Sequence, residues 1–271
     1  MKKIVHEIIV REEKLHGILF LPDQTTKSKL KDDSEEASKD SEVFPLVIHI
    51  NGMPGTSPEE DQERFGQCFT QNGIALYCFD HLGVRQSSGV FTYFAAQANI
   101  EYVIDNLVQH PQIDPLKIGL LGESFGGAMA LCHTARDNRI SAIGVRSPVF
   151  DTEIIPTYGF FDDLLKIWTR NKQMRFPSGN DLKNIYITQT RHYNPKNMIK
   201  RISQPFYLVA GKKDELLGYQ GFENLFKEIR SSVKFFDLHP KANHNFSDKS
   251  DFEKMRNTFV KFFNNVLFKE R

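Results

Sequence analysis

From residue 43 onward, short apolar runs alternate with amphipathic helical stretches, and this rhythm constrains the fold most strongly. Leu46–Ile50 (LVIHI) is a nearly continuous apolar run, broken only by His49, as in a strand buried on both faces. Ser57-Pro58-Glu59-Glu60 supplies an N-cap, a proline at the first helical position and a capping-box glutamate, predicting a helix to about Asn72 that ends at Gly73. Further strands are predicted over 74–79, 118–121, 140–145, 206–210 and 233–238. Between them, Ala96, Ile100, Val103, Ile104 and Leu107 share one helical face, and helices are expected near 124–136 and 218–230. Phe252, Met255, Phe259, Phe263 and Val266 face one way on a closing helix. With two opening strands, about 3–10 and 15–22, this order predicts an α/β fold with a mostly parallel, eight-stranded sheet and helices on both faces.

Two stretches break the rhythm. Residues 23–42 hold four Lys and seven Asp or Glu with almost no large apolar side chain. Such a segment has too little to bury to offset its ordering entropy, so it reads as a charged, flexible loop. Residues 150–203 carry Tyr158, Phe160, Phe161, Trp168, Phe176, Tyr186 and Tyr193 without a strand rhythm, and read as an inserted helical cap. Its Lys166, Arg170, Lys172 and Arg175 either meet a carboxylate or phosphate or form a solvated face.

With Lys plus Arg at 35 and Asp plus Glu at 34, the balance gives no reason to expect a nucleic-acid partner. Cys68, Cys78 and Cys132 form neither a disulfide framework nor a zinc spacing, and read as free thiols in a reducing compartment. Lys2 and Lys3 before Ile4-Val5 begin as a signal peptide does. His6, Glu7 and the Arg11–Lys14 charges interrupt that run, so the expected location is cytoplasmic. No window of about 20 apolar residues predicts a membrane span.

The central chemical signal is Gly122-Glu123-Ser124-Phe125-Gly126, directly after the strand IGLL and before a helix. A tight strand-to-helix turn holds the serine hydroxyl clear of the sheet, and flanking glycines let the chains approach. A serine needs a base, and the base an orienting acid. Asp214 follows the strand FYLVA, at the carboxyl rim shared with Ser124, and is the leading acid; Asp237, inside a strand pattern, is the rival. His244, in the loop before the last helix, is favoured as base over His239, which directly follows a strand. His133 reads as packing and His192 as surface or substrate contact. An oxyanion site needs two backbone N–H donors. Phe125 supplies one. The loop Asn51-Gly52-Met53-Pro54-Gly55-Thr56 supplies the other, with Met53 the candidate because Pro54 has no N–H.

This set resembles the α/β-hydrolase superfamily, in particular its small single-domain esterases of the feruloyl/cinnamoyl-esterase-like and acyl-peptidase-like kind. The resemblance covers nearly the whole chain outside 23–42 and implies a single α/β-hydrolase domain over 1–271. It also implies a serine carboxylesterase acting on a small-molecule ester or acyl substrate, with no metal or organic cofactor. The same residues would serve a thioesterase, an acyltransferase, a peptidase or an amidase, and a non-catalytic ligand-binding relative is the alternative of another class. Two positions depart from the family's pattern. Asn51 stands where H-G-x-x-G has His. Asp80-His81-Leu82-Gly83-Val84-Arg85-Gln86-Ser87 has Arg85 for the second Gly of D-x-x-G-x-G-x-S, leaving Arg85 to reach the pocket rim or solvent.

Overall fold

The apolar runs become strands wherever both faces can be covered. The computed structural model describes residues 1–23, 43–170, 172–179 and 181–269, so the expectation for 23–42 falls almost wholly outside the described residues. The strands are β1 (Lys2–Val5), β2 (Ile8–Val10), β3 (Glu13–Leu15), β4 (Gly17–Leu21), β5 (Phe44–Ile50), β6 (Ala75–Phe79), β7 (Ile113–Glu123), β8 (Ile140–Arg146), β9 (Phe206–Gly211) and β10 (Lys234–His239). Eight of them form one sheet in the order β1-β4-β6-β5-β7-β8-β9-β10. Only the β1/β4 and β4/β6 pairings are antiparallel; the rest of this sheet is parallel.

Side-chain alternation along the buried strands builds two cores. Leu46, Ile48 and Ile50 of β5 face a cluster that holds Ile100, Val103 and Ile104 of α2 (Tyr93–Leu107) and Ala128, Met129 and Leu131 of α3 (Phe125–Thr134). Val47 faces the other way, toward Phe69 of α1 (Gln67–Gln71) and Met255, Phe259 and Phe263 of α8 (Lys249–Leu267). The expected sheet with helices on both faces is therefore present.

The opening differs in detail from the two strands expected over 3–10 and 15–22. β1 pairs with β4 in the main sheet, whereas β2 and β3 form a separate hairpin turned at Arg11. The Tyr77 hydroxyl donates to the His6 carbonyl at 2.9 Å, holding the chain where it leaves the main sheet. The capping box at Ser57 forms as predicted: Ser57 N–H donates to Glu60 Oε2 at 2.7 Å and Glu60 N–H to Ser57 Oγ at 3.3 Å. The helix beyond it is not regular, however. Gln62–Gly66 make a wide i→i+5 turn before α1 begins. That turn sets Asp61 and Arg64 against the same buried point, with Arg64 Nη1 2.9 Å from Asp61 Oδ1.

Between β8 and β9 the chain forms α4 (Phe161–Arg170), α5 (Leu182–Thr190) and α6 (Pro195–Met198); α7 (Tyr219–Glu228) follows β9. Tyr93 of α2 packs edge-on against Tyr186 of α5, and its hydroxyl donates to the Tyr193 carbonyl. Of the basic residues expected to face an anion or solvent, Lys166, Arg170 and Lys172 are exposed. Arg175 is held by the backbone, donating to the carbonyls of Arg85, Ser87 and Gly89. Among the described residues no helix is long and apolar enough to cross a membrane.

Candidate active site

β7 runs straight into α3, and Ser124 sits at the join with φ 52° and ψ −115°. A non-glycine residue in this region is strained and persists only where its surroundings enforce it. Here they do. Ser124 N–H donates to the Arg146 carbonyl at 2.9 Å, and the Val149 N–H donates back to the Ser124 carbonyl at 3.0 Å. The turn also presses against β5: a Cβ on Gly126 would lie 2.0 Å from the Ile50 carbonyl oxygen, so only glycine fits.

The loop after β9 and the loop after β10 bring Asp214 and His244 to the same rim. The Ser124 hydroxyl lies 2.9 Å from His244 Nε2, and His244 Nδ1 lies 2.8 Å from Asp214 Oδ2. With the proton on Nδ1, the imidazole donates to Asp214 and accepts from the serine. The other Asp214 oxygen accepts the Leu216 and Leu217 N–H groups at 3.0 and 2.9 Å. Burial pushes the Asp214 carboxyl up, but His244 and these two N–H donors outweigh it and hold the acid below its ordinary range. His244 and Asp214 are both buried, and Ser124 is half-buried. Gly52 backs directly onto Ser124, since a Cβ there would stand 3.5 Å from Ser124 Cβ. Met53 and Phe125 together line two cavities beside it.

The rival residues are engaged elsewhere. Asp237 accepts from the Tyr207 hydroxyl. His239 packs edge-on against Phe246, with Nδ1 3.5 Å from Asp251. His133 contacts Asp137, and His192 packs against Phe94.

Beneath the Ser124 turn lies a buried ionic network that sequence patterns do not announce. Glu123 Oε1 accepts from Arg146 Nε at 2.8 Å, and Arg146 Nη1 donates to the His244 carbonyl. Arg64 Nη2 stands 3.3 Å from Glu123 Oε2, and His49 bridges Asp61 (2.8 Å) and Glu123 (3.4 Å). Burial raises the Glu123 carboxyl, yet Arg146, Arg64 and His49 pull it well below its usual range. Burial lowers His49, but Asp61 and Glu123 more than reverse this and raise it to about 9. Asn51, which replaces the family's His, donates to Asp61 at 3.0 Å and accepts from Thr56 at 2.8 Å, so side-chain support of the loop survives the exchange.

Donor atoms of His49, Asp61 and Cys78 lie within 4.8 Å of one another. The Asp61 carboxylate already holds His49, Asn51, Thr56 and Arg64. Burial and then Asp61 push the Cys78 thiol up. His49 and Asp61 are also members of the ionic network.

A histidine raised on folding stabilises fully below its unfolded value of about 6.5 and loses that contribution as pH rises through about 9. The thermal-midpoint advantage of the native chain over His49→Gln should therefore be constant up to about pH 6.5 and shrink toward pH 9. Scanning calorimetry of both chains from pH 5 to 9.5 checks this; a difference that instead grew from pH 5 to about 6.5 and then levelled off would mean that His49 is neutral in the folded state.

Comparison with known proteins agrees with this architecture. The chain is 25% identical over 173 residues to protein bem46 of Schizosaccharomyces pombe, covering 63% of this chain and 52% of that one. It is 24% identical over 216 residues to mouse acyl-coenzyme A thioesterase 6, covering 78% and 46%. The chain thus spans about half the length of these curated relatives. The solved structure of Est1E from Butyrivibrio proteoclasticus with ferulic acid bound superposes with a TM-score of 0.76 at 21% identity, over 97% of this chain and all of that one, a likeness of fold. The model of the prolyl oligopeptidase family matches residues 97–270, well over half of the chain, and the chain belongs to that family of α/β hydrolases.

Proposed function

We propose that this chain is a serine hydrolase that cleaves a carboxylic ester through an acyl-enzyme. The reading is carried by one observation, the continuous hydrogen-bonded line Ser124–His244–Asp214 at a strained strand-to-helix turn. Ser124 Oγ attacks the ester carbonyl carbon as its proton passes to His244 Nε2. The N–H groups of Met53 and Phe125 hold the negative oxygen that forms. Asp214 fixes the imidazole tautomer and stabilises the imidazolium. Collapse breaks the carbon–oxygen bond, and the leaving alcohol takes the Nε2 proton. Water then attacks the acyl-serine, its proton going to Nε2, and the carboxylic acid departs as Ser124 regains that proton.

The segment 150–203 acts in this reading as a cap over the site. A small cavity of about 30 Å³ lies between it and the candidate oxyanion residues, walled by Met53, Phe125, Phe91, Leu165, Trp168 and Tyr186. A nearly all-apolar wall gains affinity by burying apolar surface. The group bound there is an apolar or aromatic part of the ester.

A fluorophosphonate probe should label the native chain at one serine, and Ser124→Ala should abolish the labelling; labelling that persists would overturn the reading. Among p-nitrophenyl esters, butyrate to octanoate and phenylpropionate should exceed acetate in kcat/KM by about tenfold, as expected for burying a few methylenes. Matched thioesters and aminoacyl amides in the same panel assign the leaving group. Faster turnover of the thioester or amide would reassign the reaction.

A further inference from the structure

Arg85 stands where the family pattern has glycine, and its backbone has the conformation glycine favours, φ 41°. An L-residue held there is strained by about 1–3 kcal/mol. The side chain offers the compensation. Arg85 Nη1 donates to Asp80 Oδ1 at 2.9 Å and to the Pro54 carbonyl at 3.1 Å, while Nη2 donates to the Gly55 carbonyl. Asp80 lies just past β6 with its carboxylate fully buried, and the Arg85 side chain is only 11% exposed. The guanidinium therefore ties a fixed anion at the sheet rim to two consecutive carbonyls of the loop that follows Met53.

The remainder of that loop is anchored by Asn51 and Thr56, which both reach Asp61. Pro54 and Gly55 lie between these anchors, and Arg85 is what grips them. The backbone of Arg85 is fixed in turn. Its N–H donates to the Gln173 carbonyl at 2.7 Å, and its carbonyl accepts from Arg175. The clamp thus rests on both the sheet and the inserted segment.

We propose that Arg85 is a positioning residue for the oxyanion site, tying the Pro54 and Gly55 carbonyls to Asp80 so that the Met53 N–H keeps its aim at the reacting oxygen. The proposal rests on the serine-hydrolase reading above. An oxyanion donor acts only within about 2.7–3.1 Å of the developing charge, and a displacement of about 1 Å at a reacting site costs on the order of a hundredfold. The forked guanidinium suits the task because one group must reach a carboxylate and two carbonyls at once; an ammonium on a flexible stem cannot span all three.

The test uses Arg85→Gly and Arg85→Lys in the full chain, assayed well below their melting points with a p-nitrophenyl ester. Arg85→Gly removes the clamp but relieves the backbone strain, so it separates positioning from stability. Arg85→Lys keeps the charge and loses the fork. Both should lower kcat by about ten- to a hundredfold with KM within about threefold, because the oxyanion contact is made in the transition state. Binding of a trifluoromethyl ketone, whose serine adduct carries the oxyanion, should weaken in parallel, and binding of the matching alcohol should not. A kcat within twofold of native in Arg85→Gly would overturn the proposal, even if its melting point had moved. If Ser124→Ala instead retains turnover, the serine-hydrolase reading falls and this inference with it.

Discussion

Ser124→Ala is expected to lower kcat for ester hydrolysis by about four to six orders of magnitude, and His244→Ala by a similar factor. In the proposed mechanism the two residues act as one unit, since the hydroxyl is a nucleophile only while Nε2, 2.9 Å away, can take its proton. The double substitution should therefore be no slower than either single one. Asp214→Asn should cost about ten-thousandfold, because an amide in place of the Oδ2 acceptor favours the wrong imidazole tautomer. KM should change little, and the melting point of Ser124→Ala should stay within a few degrees of native, since the substitution keeps the backbone and removes one half-buried oxygen. Steady-state kinetics on a p-nitrophenyl ester with active-site titration measure all four chains. Turnover by His244→Ala within tenfold of native would remove His244 from the role of base.

The parts of this architecture that are legible in the sequence are those written over short spans. The strand–turn–helix context of Gly122-Glu123-Ser124-Phe125-Gly126 is local, and so is the placement of Asp214 just past β9 and of His244 in the loop before α8. The structure brings these three side chains into one hydrogen-bonded line. What the sequence hides is pairing between distant segments. His49 looks like a blemish in an apolar strand, yet it is a charged strut between Asp61 and Glu123. Arg64, Glu123 and Arg146 come from three different elements, and no periodicity relates them. Arg85 reads from its pattern as rim or solvent, because its partners at Pro54 and Gly55 lie about thirty residues away along the chain. The capping box at Ser57 is visible locally, but the wide turn after it is not, since packing of Asp61 and Arg64 overrides helical propensity there.

Glu123→Ala is expected to give the largest loss of stability in the molecule's polar interior, about 3–5 kcal/mol. Among the described residues, Glu123 is the one carboxylate that meets Arg146, Arg64 and His49 together. Removing it leaves three cationic groups with less compensation, and a buried charge without its partner costs far more than an exposed pair gains. Set against a typical total of about 5–15 kcal/mol, the loss is a large share, and the melting point should fall by about ten degrees. Arg146→Ala should destabilise by a similar amount, since it strands Glu123 and releases the His244 carbonyl. The double substitution Glu123→Ala/Arg146→Ala should cost clearly less than the sum of the two, because it removes an anion and a cation from the same buried site. Urea unfolding of the four chains, followed by far-UV circular dichroism, gives the coupling directly. Additive losses would mean that the two side chains act independently, and a Glu123→Ala chain within 1 kcal/mol of native would mean that solvent replaces the pair at little cost. The position of Glu123 explains why the network sits where it does. The residue immediately before the strained Ser124 needs a rigid seat, and three cations on its carboxylate provide one while the same Arg146 reaches the loop that carries His244.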